Sequence, residues 1–175
     1  MYKFLLRRKI ERIIKYSERE KAYISLKEIK SVLVLFDTRD FDDANHFIQQ
    51  LKKMEKRVKA IAFRSRKDAK DYSKILYPMV TEKDMMDLKN ESLTQSVNSL
   101  SNEKFDLIVD FTLEENLLFL FILASVNSPL KVGFYKHALS IHDIVISFTT
   151  EWVQNVNELG QQLIHYLTII SSAAR

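Results

Sequence analysis

The sequence contains no cysteine, only two glycines and only two prolines. Without cysteine the chain forms no disulfide, no thiolate metal site and no cysteine nucleophile, and this composition suits a reducing compartment. The P-loop and the dinucleotide fingerprint both need glycine where the backbone approaches a phosphate. Neither Gly133 nor Gly160 lies in the turn after the first predicted strand. ATPase and NAD-dependent dehydrogenase functions are therefore disfavoured.

Long hydrophobic runs are also lacking. The longest uninterrupted apolar run, LLFLFILA at 117–124, is far shorter than the roughly 20 residues that cross a bilayer. The N-terminus has neither the continuous apolar stretch nor the cleavage site of a signal peptide. We expect residues 1–28 to form a basic amphipathic helix or arm and 29–175 to form one domain. The expected location is cytoplasmic, with peripheral attachment to a membrane as the alternative.

Short β-branched runs alternate with helical periodicity in the first half of the chain. SVLVLF (31–36) and RVKAIAF (57–63) are predicted strands on either side of a helix at about 41–55, and SKILYP (73–78) is predicted as a short third strand. A further helix is predicted at about 91–101. This order of elements indicates a β-α-β unit with parallel strands.

The second half repeats the pattern with FDLIVDF (105–111), an apolar helix at 113–126 and LKVGFY (130–135). DIVISF (143–148) adds a sixth predicted strand. A final helix at about 151–172 carries an apolar stripe formed by Trp152, Val156, Leu159, Leu163, Tyr166, Leu167 and Ile170. We therefore predict an α/β, three-layer Rossmann-like fold: a doubly wound, mostly parallel sheet of five to six strands, ordered 3-2-1-4-5, with an extra N-terminal helix.

The central helix at 113–126 is apolar nearly all round, so it must be covered on more than one side. The sequence leaves open whether the cover is the N-terminal helix, the C-terminal helix or a second subunit.

Ligands of such sheets bind outside the carboxyl ends of the strands, where the strand order reverses. Asp37 and Asp110 end two strands that become neighbours in the predicted order, and Asp40 and Thr112 follow them closely. These four residues form the predicted ligand crevice, in which Asp37 and Asp110 could ligate Mg²⁺ through oxygen. No cofactor is predicted, with Mg²⁺ at this crevice as the alternative.

The acidic loops also have a purely structural interpretation, which we favour. Asp40 stands where an N-cap of the helix at Phe41 belongs, and acidic residues in a first turn complement the helix dipole. Thr112 and Glu115 have capping-box spacing ahead of the apolar helix. The histidines of KHALSIH (136–142) match no recognised metal signature, and we interpret His137 and His142 as exposed loop side chains. No serine lies in a G-x-S-x-G elbow.

The segment FDLIVDFTLEENLLFLFILASVNSPLKVGFYKH (105–137), together with LVLFD, resembles a family of short, uncharacterised bacterial α/β proteins, a domain of unknown function. The segment is also similar to the N-terminal Rossmann-like domain of heptosyltransferase-type glycosyltransferases, with matches at Asp106, Asp110, Gly133 and Phe134. That second resemblance implies half of a GT-B fold and not the transfer activity, because DTRDFDDA replaces the glycine-containing first loop of those enzymes.

Charge is concentrated at the N-terminus, where residues 1–30 hold ten lysines or arginines and four glutamates, a net charge of +6. In MYKFLLRRKIERIIKY, apolar positions share one helical face while Arg7, Arg8, Arg12 and Lys15 lie around the other. Packing of the apolar face on the domain is the favoured interpretation, and contact of the cations with an anionic membrane or RNA is the alternative.

Together these features favour a non-catalytic accessory or interaction protein that acts through an unidentified protein partner or as a homodimer. The rival hypothesis is a small enzyme or ligand-binding domain that uses the crevice between Asp37 and Asp110.

Overall fold

The computed structural model describes residues 2–65, 72–86, 97, 99–134, 139–146 and 156–170. Its helices are α1 (Tyr2–Lys15), α2 (Phe41–Lys53), α3 (Glu82–Met86), α4 (Leu117–Ser125) and α5 (Val156–Ile169), and a 3₁₀ turn spans Thr38–Asp40. Its strands are β1 (Ser31–Asp37), β2 (Arg57–Arg64), β3 (Met79–Thr81), β4 (Leu107–Asp110), β5 (Leu130–Gly133) and β6 (Ile144–Val145).

The six strands form one parallel sheet in the order β3-β2-β1-β4-β5-β6. The strand order reverses between β1 and β4, which pair from Val32 with Leu107 to Leu35 with Asp110. Every residue of β1, β4 and β5 is buried, as the continuous apolar runs predict for strands covered on both faces. The predicted α/β fold with its doubly wound parallel sheet is confirmed.

Alternate residues of β1 divide the core into two layers. Val32, Val34 and Phe36 face the layer formed with α2 and α5, while Leu33 and Leu35 face the layer formed with α1 and α4. We call these the α2/α5 layer and the α1/α4 layer. In the second, Leu6 and Ile10 of α1 are buried in the same apolar cluster as α4, so the chain itself supplies a cover for the apolar helix.

Three details of the predicted helices and strands are wrong. SKILYP at 73–78 is not a strand: β3 begins after Pro78, whose carbonyl accepts a hydrogen bond from Ala62 N. The apolar helix begins at Leu117 rather than 113. Tyr166 of the final stripe is 45% exposed, whereas Leu163 and Leu167 are buried.

Other predictions fall wholly or partly outside the described residues. These are the helix at 91–101, of which only 97 and 99–101 are described, the end of the sixth strand at 147–148, and Trp152. Within the described ranges, none of the helices combines the length and the hydrophobicity that a membrane span requires.

Candidate functional site

The carboxyl ends of β1 and β4 place Asp37 and Asp110 at the same edge of the sheet. Leu35 is aligned with Asp110, and Leu33 is aligned with Ile108. Because side chains alternate along a strand, Asp37 lies on the same face as Leu35 and therefore on the same face as Asp110. Asp37 is 6% exposed and Asp110 is 1% exposed. Two buried carboxylates thus lie on neighbouring strands at the point where the strand order reverses.

Asp37 is fully engaged by an arginine two residues further along the chain. Its Oδ1 accepts hydrogen bonds from Arg39 N and Arg39 Nε, both at 2.9 Å, and its Oδ2 accepts one from Nη2 at 3.0 Å. Arg39 Nη2 also donates to Glu114 Oε1 at 2.7 Å. These hydrogen bonds, first the ones that Arg39 donates to Asp37 and then the one to Glu114, raise the pKa of Arg39. A cation that bound Asp37 would have to displace this guanidinium.

Asp110 belongs to a second polar group on the neighbouring strands. Its Oδ1 accepts hydrogen bonds from Thr112 N at 3.0 Å and from Thr112 Oγ1 at 2.7 Å. Its Oδ2 lies 3.4 Å from His142 Nε2, and the His142 side chain is only 2% exposed. The interpretation of His142 as an exposed loop side chain is therefore wrong, and His137 lies outside the described residues.

Gly133 makes room for this histidine. A Cβ atom at position 133 would lie 2.3 Å from Cε1 of His142, closer than any ordinary contact. Gly133 also pairs with Asp110 in the register of β4 and β5, so the ring of His142 lies over the strand beside the carboxylate. A glycine within a strand often marks such a close approach. In the sequence, Gly133 within a predicted strand indicates that another group packs closely there, and the tertiary structure identifies that group as His142.

One of the two predicted helix caps has the expected position, and the other does not. Asp40 occupies the N-cap position of α2 without a side-chain capping hydrogen bond, while Asp37 caps the 3₁₀ turn before it. Burial, then the charge of Asp37, raises the pKa of Asp40. The N-cap of α4 is Asn116, whose side chain accepts hydrogen bonds from the backbone of Leu118 and Phe119.

Thr112 and Glu115 consequently form no capping box. Thr112 is buried and bonded to Asp110, and Glu115 accepts hydrogen bonds at 3.2 and 3.3 Å from the guanidinium of Arg7. The residues between 112 and Leu117 remain outside the helix, so the spacing on which a capping box depends does not arise.

A metal centre is not apparent in the part of the chain that the structure describes, where no group of three or more His, Asp or Glu side chains could hold a metal ion. Asp37 and Asp110 as Mg²⁺ ligands therefore stay a prediction. At this edge the structure shows two carboxylates that accept internal hydrogen bonds. The side chain of His142 is buried beside one of them, Asp110.

The N-terminal helix carries the other predicted contact residues. Arg8, Arg12 and Lys15 are exposed, whereas Arg7 is half-buried and paired with Glu115. Two apolar side chains accompany these cations: Phe4 is 62% exposed and Leu5 is 59% exposed. At 3.6 residues per turn, Phe4, Leu5, Arg8, Arg12 and Lys15 lie within an arc of about 100°. This arc, which we call the outer face of α1, is opposite the buried Leu6 and Ile10.

A model for a family of unknown function, DUF6913, matches residues 3–170. The chain belongs to DUF6913. The expected membership of a domain family of unknown function is confirmed, and the match includes α1 as well as the sheet. The comparison of this DUF6913 protein with curated proteins gives no significant match.

One similar solved structure is that of an exopolyphosphatase-related protein from Bacteroides fragilis. The two structures superpose with a TM-score of 0.51 and 13% sequence identity over 81% of the DUF6913 chain. The matched region covers 41% of the other chain, so the DUF6913 protein corresponds to less than half of it. At this identity the likeness shows a shared fold.

Proposed function

We propose that this DUF6913 protein is a non-catalytic interaction protein that binds an anionic membrane surface through the outer face of α1. The observation that carries the proposal is the exposure of Phe4 and Leu5 beside Arg8 and Arg12 on a helix whose opposite side is buried in the core. Helices that lie in a membrane interface combine apolar side chains that enter the lipid with cations that meet the headgroups.

The packing of α1 supports this orientation. Leu6 and Ile10 are held in the α1/α4 layer, so the helix presents its outer face while it stays docked on the domain. Arg8 also lies with its guanidinium carbon 5.7 Å from the centre of the Phe4 ring, which keeps an apolar and a cationic group together. A lipid surface suits this mixture better than RNA does, because RNA binding rewards the cations but not an exposed aliphatic side chain such as Leu5.

The carboxyl-edge geometry supports a non-catalytic role. The two carboxylates that could perform general acid or base chemistry are held by Arg39 on one side and by Thr112 and His142 on the other. The proposed location is the cytoplasmic side of a membrane, because anionic lipids are exposed there. The absence of cysteine is compatible with that reducing compartment.

Vesicle sedimentation tests the proposal. The protein should sediment with vesicles of phosphatidylcholine and phosphatidylserine but not with phosphatidylcholine alone, and salt should weaken the binding. Replacing Arg8 and Arg12 together with glutamine should remove about 2 kcal/mol of binding free energy, close to a thirtyfold loss of affinity. Replacing Phe4 and Leu5 with serine should also weaken binding, with the melting temperature little changed.

A matched control neutralises two other exposed lysines, Lys53 and Lys74, which lie outside α1. This variant changes the net charge by the same amount and should bind vesicles as the unaltered protein does. Equal losses in both charge variants would contradict the proposal. Binding to RNA that is lost with Arg8 and Arg12 but retained with serine at positions 4 and 5 would assign the outer face to nucleic acid instead.

A second candidate function, binding of Mg²⁺ in the crevice, is favoured by the placement of Asp37 and Asp110 on one face of neighbouring strands. A ligand that binds only the folded protein raises its melting temperature. If the crevice binds Mg²⁺, the ion should raise the melting temperature of the unaltered protein and should have no effect on Asp37→Asn. Nucleotides and polyphosphate complete the panel, the latter because the similar solved structure is that of an exopolyphosphatase-related protein. If no ligand of this panel raises the melting temperature, ligand binding in the crevice is excluded.

A further inference from the structure

A cavity of about 530 Å³ lies between the C-terminal ends of α1 and α4. Its wall includes Ile13 of α1, Tyr16 directly after α1, Ser125 and Asn127 at the end of α4, and Lys131 of β5. Lys131 is the second residue of its strand, so the cavity is at the amino end of β5 and away from the crevice at the carboxyl edge. Its volume falls within the range of about 300–1,000 Å³ that is usual for small-molecule sites.

Lys131 is only 4% exposed, and lysine is rarely found at such a buried position. It pairs with Ile108 in the sheet, and Ile108 faces the α1/α4 layer. Its side chain therefore rises on that face, and Nζ donates a hydrogen bond to the carbonyl of Leu123 in α4. A lysine in a strand buried on both faces loses the hydration of its charge.

The charged groups around Lys131 do little to restore that loss. The carboxylate of Asp143 binds Arg19 at 2.5 and 2.7 Å, and it accepts a hydrogen bond from the backbone N–H of Lys131 rather than from its amine. Nζ of Lys21 lies 3.3 Å from Oδ1 of the same carboxylate. Glu18 and Tyr16 also line the cavity.

Burial lowers the pKa of Lys131 to about 7, and the charges of Arg19 and Lys21 act in the same direction while that of Asp143 opposes them. Near neutral pH a large share of the side chain is therefore an uncharged amine. An amine that donates one N–H to Leu123 keeps its lone pair, and a lysine that is desolvated beside another cation is a typical nucleophile toward carbonyl compounds.

We propose that this cavity binds a small aldehyde or ketone and that Nζ of Lys131 holds it as an imine. The lone pair of the amine forms a bond to the carbonyl carbon, and the carbonyl oxygen takes up a proton to give a carbinolamine. Loss of the hydroxyl group as water, together with the proton that leaves nitrogen, gives the C=N bond. The step releases one water molecule and needs no oxidant or reductant.

Capping of α4 alone does not account for these features. Lysine side chains that cap a helix C-terminus usually keep their charge in solvent, where they complement the dipole. Here the amine is buried, stands beside Arg19 and forms part of the wall of a cavity large enough for a ligand. Each of these features favours a reactive amine over a simple cap.

Reductive labelling of the full chain tests the proposal. Acetaldehyde is supplied at about pH 7 with cyanoborohydride, which reduces any imine to a stable secondary amine, and the modified lysines are identified by peptide mass spectrometry. Lys131 should react at least about tenfold faster than the exposed Lys53, since an ordinary lysine with a pKa near 10.4 is almost wholly protonated at this pH. The rate at Lys131 should level off above about pH 8, while the rate at Lys53 continues to rise.

A variant that fills the cavity separates a site from a merely reactive amine. Ser125→Leu should slow labelling of Lys131 without changing labelling of Lys53 or the melting temperature. The proposal is overturned if Lys131 reacts no faster than Lys53, if it reacts only after unfolding in urea, or if Ser125→Leu leaves its rate unchanged. Each of these results would reduce Lys131 to a capping residue of α4.

Discussion

Replacing Leu120 with aspartate should leave the protein unfolded or insoluble. Leu120 lies near the centre of α4, is 0% exposed and belongs to the apolar cluster of the α1/α4 layer. A carboxylate placed there finds no partner, and the cost of burying it unpaired is several kcal/mol. That cost is comparable with the whole stability of a domain of this size, about 5–15 kcal/mol.

Leu5→Asp is the matched control, because Leu5 also lies in a helix but is 59% exposed. We expect Leu5→Asp to keep a cooperative thermal transition close to that of the unaltered protein. Circular dichroism melting curves and the soluble yield measure both variants. A soluble Leu120→Asp protein with an unchanged melting temperature would contradict the burial of α4.

The core of the sheet was predictable because its pattern is local. SVLVLF and FDLIVDF are near-continuous apolar runs, which is the pattern of a strand covered on both faces. The same reasoning identified LLFLFILA as buried, and it left open whether α1, the C-terminal helix or a second subunit covers it. Only the tertiary structure shows that Leu6 and Ile10 contribute to the cover.

The errors arise where a local signal competes with a distant contact. SKILYP has strand-like composition, but Leu76 is 92% exposed, and pairing with β2 begins only at Pro78 and Met79. Glu115 has the spacing of a capping box with Thr112, yet it is bonded to Arg7, 108 positions away, while Thr112 is bonded to Asp110 two positions before it. A pattern of four residues cannot reveal partners that tertiary contacts bring from elsewhere in the chain.

In the candidate sites too, some residues could be identified from the local sequence and others only from tertiary contacts. Asp37 and Asp110 were identified from the strand ends, because strand order alone decides that they share an edge. Arg19 and Asp143 are 124 positions apart, and no local pattern joins them. Lys131 did leave a signal, since a lysine between Leu130 and Val132 interrupts a strand that should be apolar on both faces. A charge at such a position indicates a buried polar group with a partner or a function.

The ion pair between Arg19 and Asp143, beside Lys131, should contribute strongly to the stability of the protein. Asp143→Asn should destabilise the protein by about 3–5 kcal/mol, because it leaves the guanidinium of Arg19, only 9% exposed, without a counter-charge. The asparagine amide would also turn an N–H₂ donor toward either Arg19 or the backbone N–H of Lys131, where the carboxylate now accepts. Urea unfolding near neutral pH measures the loss.

Lys21→Gln is the control for this variant, since Lys21 contacts the same carboxylate at 3.3 Å but is 64% exposed. Its removal should cost less than about 1 kcal/mol, as for other exposed ion pairs. A double variant with Arg19→Gln and Asp143→Asn should lose less stability than the two single changes combined, because neither charge is then left buried alone. An Asp143→Asn protein as stable as Lys21→Gln would show that the pair contributes little.

The pKa of Asp143 decides how the stability difference between the unaltered protein and Asp143→Asn changes with pH. Burial alone would raise the pKa of Asp143, but the hydrogen bonds from Arg19 and from the backbone of Lys131 outweigh it and hold the pKa below its usual value. Stability from a carboxylate with a lowered pKa is fully present above the pKa of the unfolded chain, about 3.9, and disappears as the pH falls through the folded value. The contribution of the carboxylate to the stability difference between the unaltered protein and Asp143→Asn should therefore shrink below about pH 4. A difference that instead grew in acid would mean that the carboxylate is protonated more readily in the folded chain, which is incompatible with an ion pair to Arg19.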